Sequence, residues 1–468
     1  MKRGLWLGAG PFAMLVATTA FSQSAPSAAD SSLAREIFEE LVEIPSVSGT
    51  VETTRAARTM ADRLINVGFP AQDVHVVGPD TAGSVVAIWR GTGDRPPILL
   101  MAHIDVVPAR REDWSYDPFT LTEVDGWWYG RGTTDNKAGA VHLVSSLIRL
   151  RREGFAPQRG LVLVLTGDEE TSSDAIEWMI SEEGRQLIGD PAFALNTDSG
   201  GGVLREGTEA MFTVQFAEKV YLTFRLETTN SGGHSSIPRS DNAIYELVRG
   251  LGRLESFRFP IVMTEETRAF FSARASVETG ATAADMRAVA DGRGAPEAAE
   301  RLAASSPYYN ALFRTTCVAT RLDAGHADNA LPQSARATVN CRILPGESVD
   351  EVERTLREVL GASGIAITRV NQPTPSPPSR LTPEVRGPIE RLVEEFWPAV
   401  PVVPIMETGA TDGLYVRNAG IPVFGVGAIF DDPDDVRAHG KDERIAVDRF
   451  YEALEFWYRM IRAFASLN

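Results

Sequence analysis

Four short apolar runs constrain this chain most: "SVVAIWRG", "PPILLMAHIDVV", "GLVLVLTGDEE" and "AFALNTDSGG", each ending in polar residues. Helical segments such as 137–153 and 173–183 lie between them. Near-continuous apolar strands that alternate with helices specify an α/β layer whose largely parallel sheet is buried on both faces. In such sheets ligands gather outside the carboxyl ends of the strands, where the polar residues of this chain fall. The second run carries His103 and Asp105 two positions apart. Residues i and i+2 of a strand share a face, so the imidazole and the carboxylate lie side by side. A satisfied hydrogen-bonded core pair and a metal ligand with its orienting carboxylate both fit that fragment.

The remaining polar strand ends supply Asp135 in "GRGTTDNKAGA", Glu169 and Glu170 in "TGDEETSS", Asp198 in "NTDSGG" and His439 in "RAHGKDE". Each alone has an ordinary reading, because Asp and Glu after strands cap helices and satisfy turns. Together, two imidazoles and several carboxylates suit borderline divalent ions such as zinc, cobalt or manganese. Carboxylates sharing one rim repel one another and raise some of their pKa values, and bound cations remove that cost.

After about residue 210 the pattern changes. "MFTVQFAEKVYLTFRLETTN" and "ARATVNCRILPGE" alternate as half-exposed strands do, with a helix near 241–254 and an Ala-rich, charged helical stretch from 263 to 305 between them. This reads as an inserted two-layer α/β domain. The Pro-rich segment 371–385 is the return linker, after which "VFGVGAIF" and a final helix, 446–466, resume the first domain. A chain of 468 residues is too long for one simple core, so two domains are expected.

The ordered series H-x-D, G-R-G-x-x-D, D-E-E, a lone Asp after a strand and a late His resembles the co-catalytic zinc metallopeptidases. That superfamily includes glutamate carboxypeptidase, carnosine dipeptidase, aminoacylase, acetylornithine deacetylase and succinyl-diaminopimelate desuccinylase. The resemblance runs from about residue 34 onward. It implies a zinc-exopeptidase-like catalytic domain with a mostly parallel central sheet, interrupted by an α/β lid. The expected boundaries are 32–208 and 384–468 for the catalytic domain and 209–375 for the lid or dimerisation domain.

Carried over by position, the resemblance makes Asp135 a bridge between two divalent ions, zinc first and cobalt or manganese as substitutes. His103 and Asp198 complete one metal site, and Glu170 and His439 the other. Glu169 becomes the general base and Asp105 the group that orients His103. Spacing alone does not say which adjacent glutamate is ligand and which is base; that assignment comes from the resemblance. From the lid, His234 in "NSGGHSSIP" matches an oxyanion-binding histidine, while Asn329 and Arg342 match residues that hold the substrate's carboxylate end. An Arg fork fits a carboxylate bidentately, which gives that role a physical basis. The Gly-rich segment 407–427 resembles a substrate loop, and His75 and His142 read as structural.

The implied activity is exopeptidase hydrolysis of short peptides, of carboxypeptidase or dipeptidase type. The alternatives are an N-acyl-amino-acid amidohydrolase and, from a different class, a non-catalytic peptide-binding protein on the same fold. A homodimer through the lid is also implied, although the insert at 263–305 exceeds a compact lid. A net charge of −17 argues against a nucleic-acid partner. Lys2 and Arg3, an apolar run to about Phe21 and then small polar residues have the order of a signal peptide, 1–22, cleaved before Gln23. Export to a periplasm or the exterior is therefore expected, with no membrane association after cleavage. In such a compartment the two cysteines, Cys317 and Cys341, either pair or remain buried thiols.

Overall fold

The computed structural model describes residues 25–361, 364–433 and 435–466; the expected signal peptide, 1–22, lies outside the described residues. Its centre is a large sheet. Strands Leu161–Thr166, Ile98–His103, Phe193–Asn196 and Val423–Gly425 run parallel and adjacent in that order. Ser84–Trp89 and then Val74–Val77 extend it antiparallel on one side. On the other side Thr208–Glu218 pairs antiparallel with Val423–Gly425 and with Gly201–Arg205, and parallel with Val402–Glu407. The sequence expectation of a largely parallel α/β sheet is met.

Burial on both faces explains the unbroken apolar runs. Val85, Ile98, Leu100, Leu163 and Leu195 pack toward helices Ala28–Glu43, Val51–Asn66, Lys137–Arg152, Pro383–Phe396 and Val447–Ala465. Val86, Leu99, Met101, Val164 and Ala194 face Ile176 and Met179 of helix Asp174–Ile180 and Val416 of helix Gly413–Asn418. Each buried side chain of this kind contributes about 1.5–3 kcal/mol, so neither face tolerates a polar substitution. Helix ends follow local chemistry. Ser27 accepts from the Asp30 N–H to cap Ala28–Glu43, and Pro383 opens Pro383–Phe396 with the φ that a first helical position requires.

A second, antiparallel sheet orders Thr316–Ala324, Ser334–Ile343, Val220–Thr229 and Ala366–Arg369. One face packs Leu222, Phe224, Leu226 and Val339 against helices Ala243–Ser256 and Val349–Leu360; the other carries the alternating polar residues. Cys317 and Cys341 are cross-strand partners in it and form a disulfide, with Cα atoms 4.0 Å apart. The pairing alternative therefore holds.

Two boundaries differ from expectation. The alternating stretch near 210 is two strands in two sheets. Thr208–Glu218 belongs to the large sheet, so the chain enters the smaller one at Lys219–Val220 rather than at 209. The helical stretch 263–305 resolves into Glu265–Val277, Gly280–Asp291 and Ala295–Ser305, followed by Pro307–Phe313. Its apolar residues Phe270, Phe271, Met286 and Leu302 cluster with Met211, Val403 and Ile405 of the large sheet. Hydrophobic area on the edge strand Val402–Glu407 draws these helices there, which the sequence pattern did not reveal. Among the described residues no helix is long and apolar enough to cross a membrane.

Candidate active site

Because Ile98–His103, Leu161–Thr166 and Phe193–Asn196 run parallel, their carboxyl ends emerge on one edge. His103 ends the first, Glu169 and Glu170 follow the second, and Asp198 follows the third. Asp135 precedes helix Lys137–Arg152 at the end of a tight loop. Gly132 in that loop has a φ of +86°, and a Cβ there would meet Lys137 at 2.8 Å and Val106 at 2.9 Å, so only glycine fits. His439, with a φ of 61°, arrives from the loop after the last strands of the sheet.

These side chains converge. His103 is 1% exposed, and its Nδ1 lies 3.0 Å from the Asp105 carbonyl oxygen. A carbonyl only accepts, so Nδ1 carries a proton and Nε2 is the ring nitrogen turned to the carboxylates. Nε2 faces Asp135 Oδ1 at 2.9 Å and Asp198 Oδ1 at 3.4 Å. Burial opposes charge on the ring, yet these carboxylates raise the His103 pKa. The other Asp135 oxygen, Oδ2, lies 3.1 Å from His439 Nε2, which is 3.0 Å from Glu170. Three three-residue donor groups result, His103–Asp135–Asp198, Asp135–Glu170–His439 and His103–Glu169–Glu170; the first two share Asp135, with one oxygen turned to each. Electron pairs converging in this way require cations or protons between them, and the N/O donor set fits a borderline divalent ion.

The titration behaviour agrees. Burial and the Asp198 charge push Glu169 well above the usual carboxylate range, and burial also raises Glu170 and Asp198. Hydrogen bonds to Asp135 and Glu170 raise His439 to about 10. Burial disfavours charge on Asp135, yet the bonds from His103 and His439 hold it low. In the protein alone, protons thus collect where positive charge is required.

Residues 99–463 match the family model described as peptidase family M20/M25/M40. The chain belongs to that family. It is 29% identical over 392 residues to the probable carboxypeptidase S-like 2 of Dictyostelium discoideum, covering 81% of this chain and 74% of the relative. It is also 29% identical over 378 residues to the Homo sapiens N-fatty-acyl-amino acid synthase/hydrolase PM20D1, covering 78% and 74%. Human carnosine dipeptidase 1 superposes with a TM-score of 0.69 at 17% identity, covering 94% of this chain and 97% of that one. The chain is an M20-family hydrolase, and the fold expected from the resemblance is the fold observed.

Within this M20 site, Asp105 does something the sequence did not show. Its carbonyl is the nearest acceptor for His103, while its carboxylate, 3.6 Å from Nδ1, accepts from the N–H groups of Glu169 at 3.2 Å and Glu170 at 3.1 Å. It therefore fixes the turn that presents both glutamates. Asp168, the first residue of D-E-E, accepts from the Ala175 N–H and the Ser172 hydroxyl and shapes the same turn. Asn136 donates to Asp198 Oδ1 at 2.9 Å and accepts from Thr197. Glu443, four residues beyond His439, binds the loop that carries Asp135. No motif spacing marked these supporting residues, because their targets are backbone N–H groups and neighbouring side chains that only the fold brings near.

The clusters border a cleft of about 670 Å³, with Val203, Ile405, Ile429 and Glu407 on its walls. Three expected residues come from the smaller sheet and its loops. His234 is exposed on a two-stranded ribbon, Gly233–His234 with Ala330–Leu331, and its Nδ1 contacts the Ser236 hydroxyl at 2.7 Å. The Asn329 carbonyl accepts from the Ser235 N–H at 3.0 Å. Neither side chain lines the cleft. Arg342 is half-buried, lies 4.6 Å from the Tyr221 ring centre and reaches the Thr408 carbonyl at 3.5 Å, beside the cleft wall. Of the other histidines, His142 is buried in its helix, as expected for a structural role, and His75 stands on the edge strand Val74–Val77.

Proposed function

We propose that the chain hydrolyses the amide bond joining an acyl group to an amino acid with a free carboxylate, using two divalent ions held by the two clusters. Asp135, with one oxygen in each cluster, is the observation that carries this reading. His103 and Asp198 would hold one ion and Glu170 and His439 the other, zinc first and cobalt or manganese as substitutes. When bound, such ions supply Lewis acidity toward the scissile carbonyl and lower the pKa of water. Glu169 lies next to Glu170 on the cleft wall, within reach of His103 but outside the two groups that share Asp135. It takes the proton of the attacking water and passes it to the leaving amine.

From the smaller sheet, which acts as a lid, His234 donates to the developing oxyanion and Asn329 and Arg342 hold the substrate carboxylate. Arg342 beside Thr408 is already near the cleft, whereas His234 and Asn329 require closure of the lid or a second subunit. A homodimer through the outer strand Thr316–Ala324 fits the exposure of Val318 and Leu322 on that strand and of Tyr245 and Val248 on the adjoining helix. The Cys317–Cys341 disulfide suits the oxidising compartment that an exported protein meets.

The leading substrate is a short peptide, which makes the activity that of a carboxypeptidase or dipeptidase. A simple or fatty N-acyl amino acid is the second reading, supported by the relative that acts on N-fatty-acyl amino acids. The apolar wall residues Val203, Ile405 and Ile429 accommodate either acyl group. A panel of peptides and N-acyl amino acids, each with a free or amidated carboxylate and with added zinc, cobalt or manganese, tests the proposal. Hydrolysis confined to the free acids is expected. Equal turnover of free and amidated substrates would overturn it.

A further inference from the structure

Glu443 is 0% exposed, an expensive place for a carboxylate unless every lone pair is used. Here they are used. Oε1 accepts from the Thr134 N–H at 2.8 Å, the Asp135 N–H at 3.1 Å and the Thr134 hydroxyl at 3.0 Å. Oε2 accepts from the Gly132 N–H at 3.1 Å and from Arg131 Nη1 at 2.6 Å. Three backbone N–H groups of residues 132–135 are thus turned inward onto one side chain.

The opposite end of this contact is equally specific. Arg131 Nη2 donates to the Gly440 carbonyl at 2.9 Å, and the Gly130 N–H donates to the Glu443 carbonyl at 3.1 Å. The loop bearing Asp135 and the loop bearing His439 are joined by this set, although more than 300 residues separate them in the chain. Asp135 and His439 face each other at 3.1 Å, and both are held through groups that Glu443 or its partner Arg131 contacts.

We infer that Glu443 is a positioning residue that aims the shared carboxylate Asp135 at both donor clusters, so that metal affinity depends on it. The inference rests on the two-cluster reading above. The carboxylate is needed because all five neighbouring groups are donors. A glutamine keeps the shape but has one accepting oxygen, and its NH2 must face donors on one side or the other. That mismatch turns or withdraws the 132–135 loop without removing any ligand. Groups that orient metal ligands typically contribute 10–100-fold to metal affinity.

Competition with a chelator measures the zinc affinity of the native full-length protein and of Glu443→Gln, and thermal unfolding of each metal-free form measures stability separately. Zinc binding about 10–100-fold weaker in Glu443→Gln is expected, with kcat recovering as zinc is raised. Thr134→Val, which removes only the hydroxyl contact, should shift affinity in the same direction by less. It serves as the test if Glu443→Gln does not fold. A variant with lowered melting temperature but native zinc affinity would overturn the inference and leave Glu443 a purely structural residue. If the native protein itself bound no zinc, the two-cluster reading would fail instead.

Discussion

The strand-end cluster and the ribbon bearing His234 show two ways in which one chain presents polar side chains. His103, Asp135, Glu170, Asp198 and His439 sit at contact distances of 2.9–3.4 Å, each on or beside an element tied into the large sheet. His234 stands exposed on a short ribbon beyond the smaller sheet, and Asn329 is exposed in the turn just before the ribbon's second strand. A parallel sheet fixes its strand ends through its own hydrogen-bond ladder. Groups on a separate sheet are placed by how the two sheets meet, here through the crossing at Lys219–Val220. Rigid placement suits metal ligands, whereas groups that act on bound substrate tolerate arrival by closure.

Glu169→Gln offers the strongest way to break this contrast. It should retain metal and fold while kcat falls by about 10²–10⁴-fold, as general-base removal does. If Glu169→Gln lost metal while Glu170→Gln kept it, the roles of the two glutamates would be exchanged. Next in size, His234→Ala should lower kcat by about 10²–10³-fold with little change in KM, since an oxyanion donor acts mainly in the transition state. Unchanged kcat would confine function to the large sheet and remove the lid from the chemistry.

The smallest expected effect probes the dry scaffold beneath the cluster. Burial lowers the His142 pKa from 6.5 to about 3, and its Nε2–H donates to the Phe450 carbonyl at 3.0 Å. As pH falls, the unfolded chain takes up this proton first, so the stability associated with a neutral His142 is lost between about 6.5 and 3. Going from pH 6.5 to 5, native protein should lose about 2 kcal/mol more than His142→Gln in urea unfolding. Equal losses would mean that the helix below Asp135 admits water.

The legible part of the molecule follows the same division. The apolar runs specified the two-sided sheet because period and length leave few alternatives, and polar residues at their ends marked one edge. The series of polar residues His103, Asp135, Glu169, Glu170, Asp198 and His439 was readable as one cluster because strand ends are close in space whenever the strands are parallel. Asp105 was visible as a polar residue, but its bonds to the Glu169 and Glu170 N–H groups depend on a turn no motif describes. Glu443 was invisible for the same reason. The helices between 265 and 305 were legible as helices and Pro307–Phe313 was not; their docking on Val402–Glu407 depends on which edge of the fold left apolar area uncovered.

Metal content decides the central claim, that Asp135 joins two ion sites on one sheet edge. Purified protein reconstituted with zinc, dialysed and analysed for bound metal against protein concentration should hold two ions per chain. His439→Ala should hold one tightly, and Asp135→Ala should bind both weakly. Native protein that is folded yet retains no zinc, or a single ion undisturbed by Asp135→Ala, would contradict the account.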